Sequence, residues 1–215
     1  MSRGDSPALA DDLLFVVWDT NHSGRPRLLP AIAGLVLAGG LLGELVLHGR
    51  IVIEGERLHV ADARPVRKEL LDRVLASLKR APECTAVRIW LDGLAKSSIA
   101  DVAERLRAAE FLKSEGRTFL LRKERYFHTD FARAMWPMTQ VRSILIFGRE
   151  ARQQDLALIA LADAAQMNTV VLEDPAERLQ ADLYRRHLLT TLEPSLAHLT
   201  GHVRAATGDA VLTYR

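Results

Sequence analysis

The sequence predicts a mainly α-helical fold, a single helical domain around a buried central hydrophobic helix, with one short and one longer protruding β-hairpin. Three observations predict it. Leu28–His48 is apolar over 21 residues, with Glu44 as its only formal charge. Amphipathic stretches at helical spacing follow it, and two short alternating runs interrupt them. An apolar content of 48% with 26% charged residues is typical of a globular protein.

The central stretch has two interpretations, a buried helix or a transmembrane helix, because about 20 apolar residues can cross a bilayer. A carboxylate such as Glu44 costs several kcal/mol in lipid but can be hydrogen-bonded inside a protein. Glycines also allow neighbouring helices to approach closely, and this stretch contains four: Gly34, Gly39, Gly40 and Gly43. These features favour the buried helix.

The N-terminal half is divided by turn signals into the following elements. A disordered lead (1–7) precedes a first helix, Ala8–Trp18, a loop, Asp19–Arg27, and the central helix from Pro30 to near Gly49. A short hairpin then spans Ile51–Val60, and three helices are predicted at Glu69–Lys79, Thr85–Leu94 and Ile99–Ser114, the last capped by Ser97 or Ser98.

The C-terminal half begins with the longer hairpin, whose strands we predict at Thr118–Leu121 and Tyr126–Phe131 around a charged turn. Trp136-Pro137 then opens a helix, Met138–Phe147. Two more helical regions follow at Gln154–Gln166 and from Ala176 to Leu199 and onward, with Pro194 as a kink or boundary. Residues 8–215 are predicted to form one domain.

The motifs of common catalytic sites are absent from the sequence, including glycine-rich phosphate loops, nucleophile elbows and zinc-protease helices. His198 and His202 have i, i+4 spacing, but two surface histidines are the favoured interpretation. Asp11 and Asp12 are interpreted as a solvated helix start. The single cysteine, Cys84, excludes an internal disulfide and suits a reducing cytosol. We predict no catalytic residue, metal or cofactor, and no enzyme activity.

Positive charge concentrates in one segment of the chain. Between Glu104 and Arg152 there are eleven Lys or Arg and six acids, a local net charge of +5 against +2 for the whole chain. The longer hairpin lies in this segment and mixes cations with apolar side chains. Such a mixture suits an anionic membrane surface, where each Lys or Arg contributes about 1 kcal/mol. A solvated basic face over an ordinary core hairpin is the alternative.

The order of several motifs resembles the Golgi phosphoprotein 3 family, whose domain is also called GPP34, and in particular its bacterial, actinobacterial-type members. Glu44–Arg50, reading ELVLHGR, is the most specific motif. The others are GRPRL at 24–28, LLGELVLHGRIVIEG at 41–55, LLDRVLASL at 70–78, ERLRAAEFLKSEG at 104–116, Trp136-Pro137 and LALIALADAAQ at 156–166.

The resemblance implies a cytoplasmic, non-enzymatic protein that associates peripherally with membranes by binding phosphatidylinositol 4-phosphate. It places pocket residues at four positions, of which three differ here (Leu29, Ala38 and Val102) and Arg105 coincides. We therefore expect a lipid-phosphate site formed by Arg105, Arg107, Arg27 and Arg25. The hairpin is expected to contact the membrane or a second copy through Phe119, Leu120, Leu121, Arg122, Lys123, Arg125, Tyr126 and Phe127.

Two other functions remain open at this level. One is a soluble protein-interaction module of the same fold without lipid specificity. The weaker one is a winged-helix-like nucleic-acid binder that uses Ile99–Ser114 and the following hairpin. Arg105 and Arg107 discriminate between them: convergence on a concave pocket favours a lipid headgroup, and spreading along an exposed helix favours nucleic acid.

Overall fold

The structure, a computed structural model, describes residues 8–115, 125–167, 172 and 174–213. Its helices in these ranges are α1 Leu9–Val17, α2 Pro30–Leu47, α3 Glu69–Arg80, α4 Val87–Ala108, α5 Phe131–Phe147, α6 Gln153–Ala164, α7 Pro175–Leu189 and α8 Pro194–Thr213. Two antiparallel hairpins pair β1 Ile51–Glu54 with β2 Arg57–Val60 and β3 Leu112–Glu115 with β4 Arg125–His128. The mainly α fold class with two hairpins is confirmed.

Helix α2 is the centre of the fold, as predicted. It packs against α1, α4, α6 and α8, and its side chains are buried almost without interruption from Ile32 to Leu45. Over 18 residues its mean hydropathy is 1.9, enough to cross a membrane by length and composition, yet 78% of it is buried within the protein. The protein's own helices therefore provide the apolar surroundings that this helix requires.

Close approach of α2 and α4 depends on Gly34. A Cβ at this position would lie 2.5 Å from the carbonyl oxygen of Ala95, closer than any real contact. The hydroxyl of Ser98 donates a 2.8 Å hydrogen bond to the carbonyl oxygen of Gly34. Ser98 is therefore a buried interior residue of α4 and not a helix cap.

The two helices predicted at Thr85–Leu94 and Ile99–Ser114 are one continuous helix, α4, so that prediction is wrong. The serines of the intervening segment suggested a cap, but the Ser98 hydroxyl bonds to α2 and the helix continues through it. The helix also ends earlier than predicted, at Ala108, because Leu112 already begins a strand.

The shorter hairpin, predicted at Ile51–Val60, is confirmed and is fastened to α8. The Ser195 hydroxyl accepts a 3.1 Å hydrogen bond from the Ile53 amide. His202 donates from Nε2 to the carbonyl oxygen of Gly55 at 2.8 Å, and Nδ1 of His198 lies 3.1 Å from the carbonyl oxygen of Ile53. These two histidines of α8 therefore contact the backbone of the β1–β2 turn.

The longer hairpin starts before its predicted position. Leu112 pairs with His128 and Glu115 with Arg125. The predicted strand Thr118–Leu121 lies outside the described residues, as does the lead, 1–7.

The next helix, α5, begins at Phe131 instead of Met138, because the Asp130 side chain caps it by accepting from the Arg133 amide at 3.1 Å. Pro137 lies inside this helix and does not open it.

Candidate functional site

The basic segment supplies cations to two different places, and the first is a buried ion-pair cluster. Arg105 of α4 donates from Nε to Asp11 at 2.8 Å and from Nη2 to Glu44 at 3.1 Å. Glu44 also accepts a 2.9 Å hydrogen bond from the amide of Ala10, in the first turn of α1. Glu44, the charge inside the apolar run, thus anchors α1 and α4 to the central helix.

Arg133 of α5 completes the cluster. It donates to Asp12 of α1 at 2.8 Å. Its guanidinium also lies over two aromatic rings, 5.2 Å from the Phe15 centroid and 5.8 Å from the Phe111 centroid. Such cation–π contacts stabilise a desolvated arginine. We call the cluster the charge junction; its members are Asp11, Asp12, Glu44, Arg105 and Arg133.

The charge junction contains three carboxyl groups and only two guanidinium groups. Burial raises the pKa of Asp11 to about 6 against the opposing pull of Arg105, and burial raises the pKa of Asp12 to about 6 against that of Arg133. Burial alone would lower the pKa of Arg105, but Glu44 and Asp11 raise it above its ordinary value. Desolvation thus raises the pKa of the two Asp residues, and the two carboxylates around Arg105 raise that of the arginine. Asp11 and Asp12 are therefore not a solvated helix start.

Arg105 and Arg107 do not converge on a common pocket. Because each residue of a helix is rotated by about 100° from the one before it, the side chains of Arg105 and Arg107 point in nearly opposite directions. Arg105 points inward to two carboxylates, whereas Arg107 is exposed and pairs with Glu104. Phosphate binding by Arg105 stays a prediction, and a phosphate would have to compete there with Asp11 and Glu44.

The second place is the loop 19–27, which pairs with β4. The amide of Tyr126 donates to the carbonyl oxygen of Gly24 at 2.9 Å. Asp19 orders the loop by accepting from the Ser23 amide at 2.9 Å and by an ion pair with Arg27 at 3.4 Å. Partial burial raises the pKa of Asp19, but the bonds from Ser23 and the charge of Arg27 outweigh it and set the pKa at about 2.

Arg25 and Arg125 become neighbours through this pairing, and we call them the arginine edge. A Cβ built on Gly24 would lie 2.9 Å from the Cβ of Arg125 and 2.6 Å from the ring of Phe127. Arg25 is the next residue in the loop. Both arginines are exposed, and neither has an acidic partner among the described residues. The structure thus joins one predicted phosphate-binding residue to one predicted hairpin residue.

Substituting Gly24 by Ala is expected to separate the loop from the hairpin. Gly24 adopts φ +65°, which disfavours any side chain, and the new methyl group would collide with the Phe127 ring. We expect a loss of about 1 to 2 kcal/mol in the free energy of unfolding. Urea unfolding measures it, with Gly55→Ala as the control: Gly55 has φ +56° but no neighbour within 4 Å. An equal loss in both variants would assign the effect to backbone strain alone.

Of the other predicted hairpin residues, two have side chains that are buried or half-buried, and five lie outside the residues that the structure describes. Tyr126 is buried, and its ring lies 5.1 Å from that of Trp18. Phe127 is half-buried against Gly24. Neither aromatic side chain projects freely. Phe119, Leu120, Leu121, Arg122 and Lys123 lie outside the described residues, so their predicted contact with a membrane or second copy stays a prediction.

At three positions this sequence differs from the residues that the family resemblance places in the lipid pocket. Ala38 and Val102 are completely buried in the core, whereas Leu29 is 45% exposed at the start of α2. Because methyl and isopropyl groups fill the two buried positions, no cation is available there. An anion site in this protein therefore cannot use a cation at position 38 or 102.

The fold defines a helical module with a buried apolar centre and two hairpins, and its charged residues form a structural junction and an exposed edge. The chain belongs to the Golgi phosphoprotein 3 (GPP34) family, whose model matches residues 9–208. A comparison with curated proteins gives no significant match.

Proposed function

We propose that this GPP34 protein is a cytoplasmic, peripheral membrane protein that binds anionic phospholipid headgroups, such as that of phosphatidylinositol 4-phosphate, at the arginine edge. One observation carries the proposal. Arg25 and Arg125 are exposed where the loop meets β4, with Gly24 between them in space, and neither has an acidic partner among the described residues, while Arg105, Arg107 and Arg27 are each engaged by a carboxylate.

Arginine suits this role because its planar fork donates two hydrogen bonds to phosphate oxygens. An exposed pair of arginines also gains from the negative potential of an anionic membrane, by about 1 kcal/mol each. The edge is a surface and not an enclosed pocket. Binding is therefore expected to be weak, poorly selective between anionic headgroups and strongly reduced by salt, whose screening length is about 8 Å at physiological concentration.

Liposome co-sedimentation tests the proposal. We expect wild-type protein to sediment with vesicles containing phosphatidylinositol 4-phosphate, phosphatidylglycerol or cardiolipin at low salt, and not with phosphatidylcholine alone. The double variant Arg25→Gln/Arg125→Gln is expected to lose about 2 kcal/mol, roughly thirtyfold in affinity. The matched control is Arg57→Gln/Lys96→Gln, which removes the same charge from two other exposed positions and is expected to bind like wild type.

Equal losses in both double variants would show that net charge, and not the arginine edge, governs binding. Absence of binding to every anionic vesicle would favour the alternative function, a soluble protein-interaction module. One observation supports that alternative: Leu179 and Leu183, one turn apart on α7, are 79% and 75% exposed. A nucleic-acid role gains no support from α4, where Arg105 points inward.

A further inference from the structure

The two arginines of the charge junction flank the longer hairpin. Arg105 lies in the last turn of α4, which passes directly into β3 through a hydrogen bond from the Phe111 amide to the Leu106 carbonyl oxygen, at 2.9 Å. Arg133 lies in the first turn of α5, which follows β4. Both ends of the hairpin are therefore tied to α1, through Asp11 and Asp12.

Among the described residues, no cation besides Arg105 and Arg133 forms an ion pair with the three acids of the junction. The nearby α6 acids are engaged elsewhere, Asp155 by Gln140 and Asp163 by Arg204. At the C-terminal end of α2, burial and the charge of Lys68 lower the pKa of His48, against the charge of Glu44, which raises it. On α4, Glu104 and Arg107 neutralise each other at the surface.

We propose that the charge junction is a proton-operated clamp on the β3–β4 hairpin, tightest when one of its carboxyl groups holds a proton. A proton from solvent adds to one Asp carboxylate of α1. Two carboxylates then face two guanidinium groups, and the buried cluster is neutral. When that proton leaves, the unbalanced charge repels within a desolvated site and the ends of the hairpin are held less firmly. The clamp is independent of lipid binding.

The direction of the pH dependence follows from linkage. A carboxyl group whose folded-state pKa lies above its unfolded value binds protons more tightly when folded. Its contribution to stability is therefore present at acidic pH and is lost as pH rises through the folded pKa. With pKa values of about 6 folded and 3.8 unfolded, uptake of one proton by the junction makes the ratio of folded to unfolded protein about tenfold larger at pH 5 than at pH 7.5.

Carboxyl-carbon NMR titration of the full chain provides the direct test. We expect one titration of Asp11 or Asp12 with a midpoint near 6, because protonation of one carboxylate removes the charge that favours protonation of the other. Midpoints below 4.5 for both residues would overturn the proposal.

Hydrogen exchange reports the clamp itself. We expect the Tyr126 and Thr129 amides, after correction for intrinsic rates, to be protected about tenfold more at pH 5 than at pH 7.5. In Asp12→Asn, a permanently neutral mimic, this difference should disappear and protection at pH 7.5 should match wild type at pH 5. Asp11→Asn serves if that variant does not fold.

Asp101→Asn is the matched control. It also neutralises an acid that pairs with an arginine, but Asp101 of α4 pairs with Arg73 of α3, outside the charge junction. It should retain the wild-type pH dependence. The same pH dependence in wild type and Asp12→Asn would overturn the clamp. His48 could not be its source, because a lowered histidine pKa reduces stability at acidic pH.

Discussion

Arg105→Met is expected to destabilise the protein by about 3 to 5 kcal/mol, because it leaves Glu44 and Asp11 buried without their cation. Methionine retains the apolar stem of arginine, so the loss reflects charge more than volume. Urea unfolding at pH 7.5 measures it. Since loss of the cation further favours protonated carboxyls, the destabilisation should be smaller at pH 5.

Arg107→Met is the matched control for this experiment. Arg107 is on the same helix two residues later but is exposed and paired only with Glu104, so we expect a change within about 0.5 kcal/mol. Adding Asp11→Asn to Arg105→Met should recover part of the loss. If Arg105→Met were as stable as wild type, Arg105 would be free to act as a lipid ligand and the charge junction would have no structural role.

Gly34→Ala is expected to cost about 2 to 3 kcal/mol, even though alanine is the better helix former. The added methyl group would meet the carbonyl oxygen of Ala95 at 2.5 Å, and backbone atoms in a packed helix pair cannot move aside cheaply. The separation of α2 from α4 would also stretch the hydrogen bond from Ser98 to Gly34. Thermal or urea unfolding measures the change.

Gly93→Ala is the control for Gly34→Ala. Gly93 also lies inside a helix, α4, but a Cβ there meets nothing within 4 Å, so alanine should stabilise by about 0.5 to 1 kcal/mol through helix propensity. Opposite signs for the two substitutions identify steric contact between helices as the cause. A stabilising Gly34→Ala would mean that α2 and α4 are less closely packed than this structure shows.

Local patterns in the sequence were enough to predict most elements. The apolar run with four glycines identified α2 as a buried centre, and alternation around Glu54-Gly55 identified the first hairpin. One error occurred where a tertiary contact overrides a local signal: Ser98 resembles a cap in sequence but bonds to another helix. The other was a missed local signal: Pro137 resembles a helix start, but the Asp130 cap starts the helix seven residues earlier.

The sequence by itself determined the fold class, the family and the position of the surplus basic charge, because periodicity and composition are properties of neighbouring residues. It did not determine which cations are free. Arg105 and Arg25 are both arginines in the sequence. In the structure Arg105 is bound by Asp11 and Glu44, which lie 94 and 61 positions away, whereas Arg25 is exposed. Only the tertiary structure decides this, because ion pairing and desolvation depend on distances in space and not on separation along the chain.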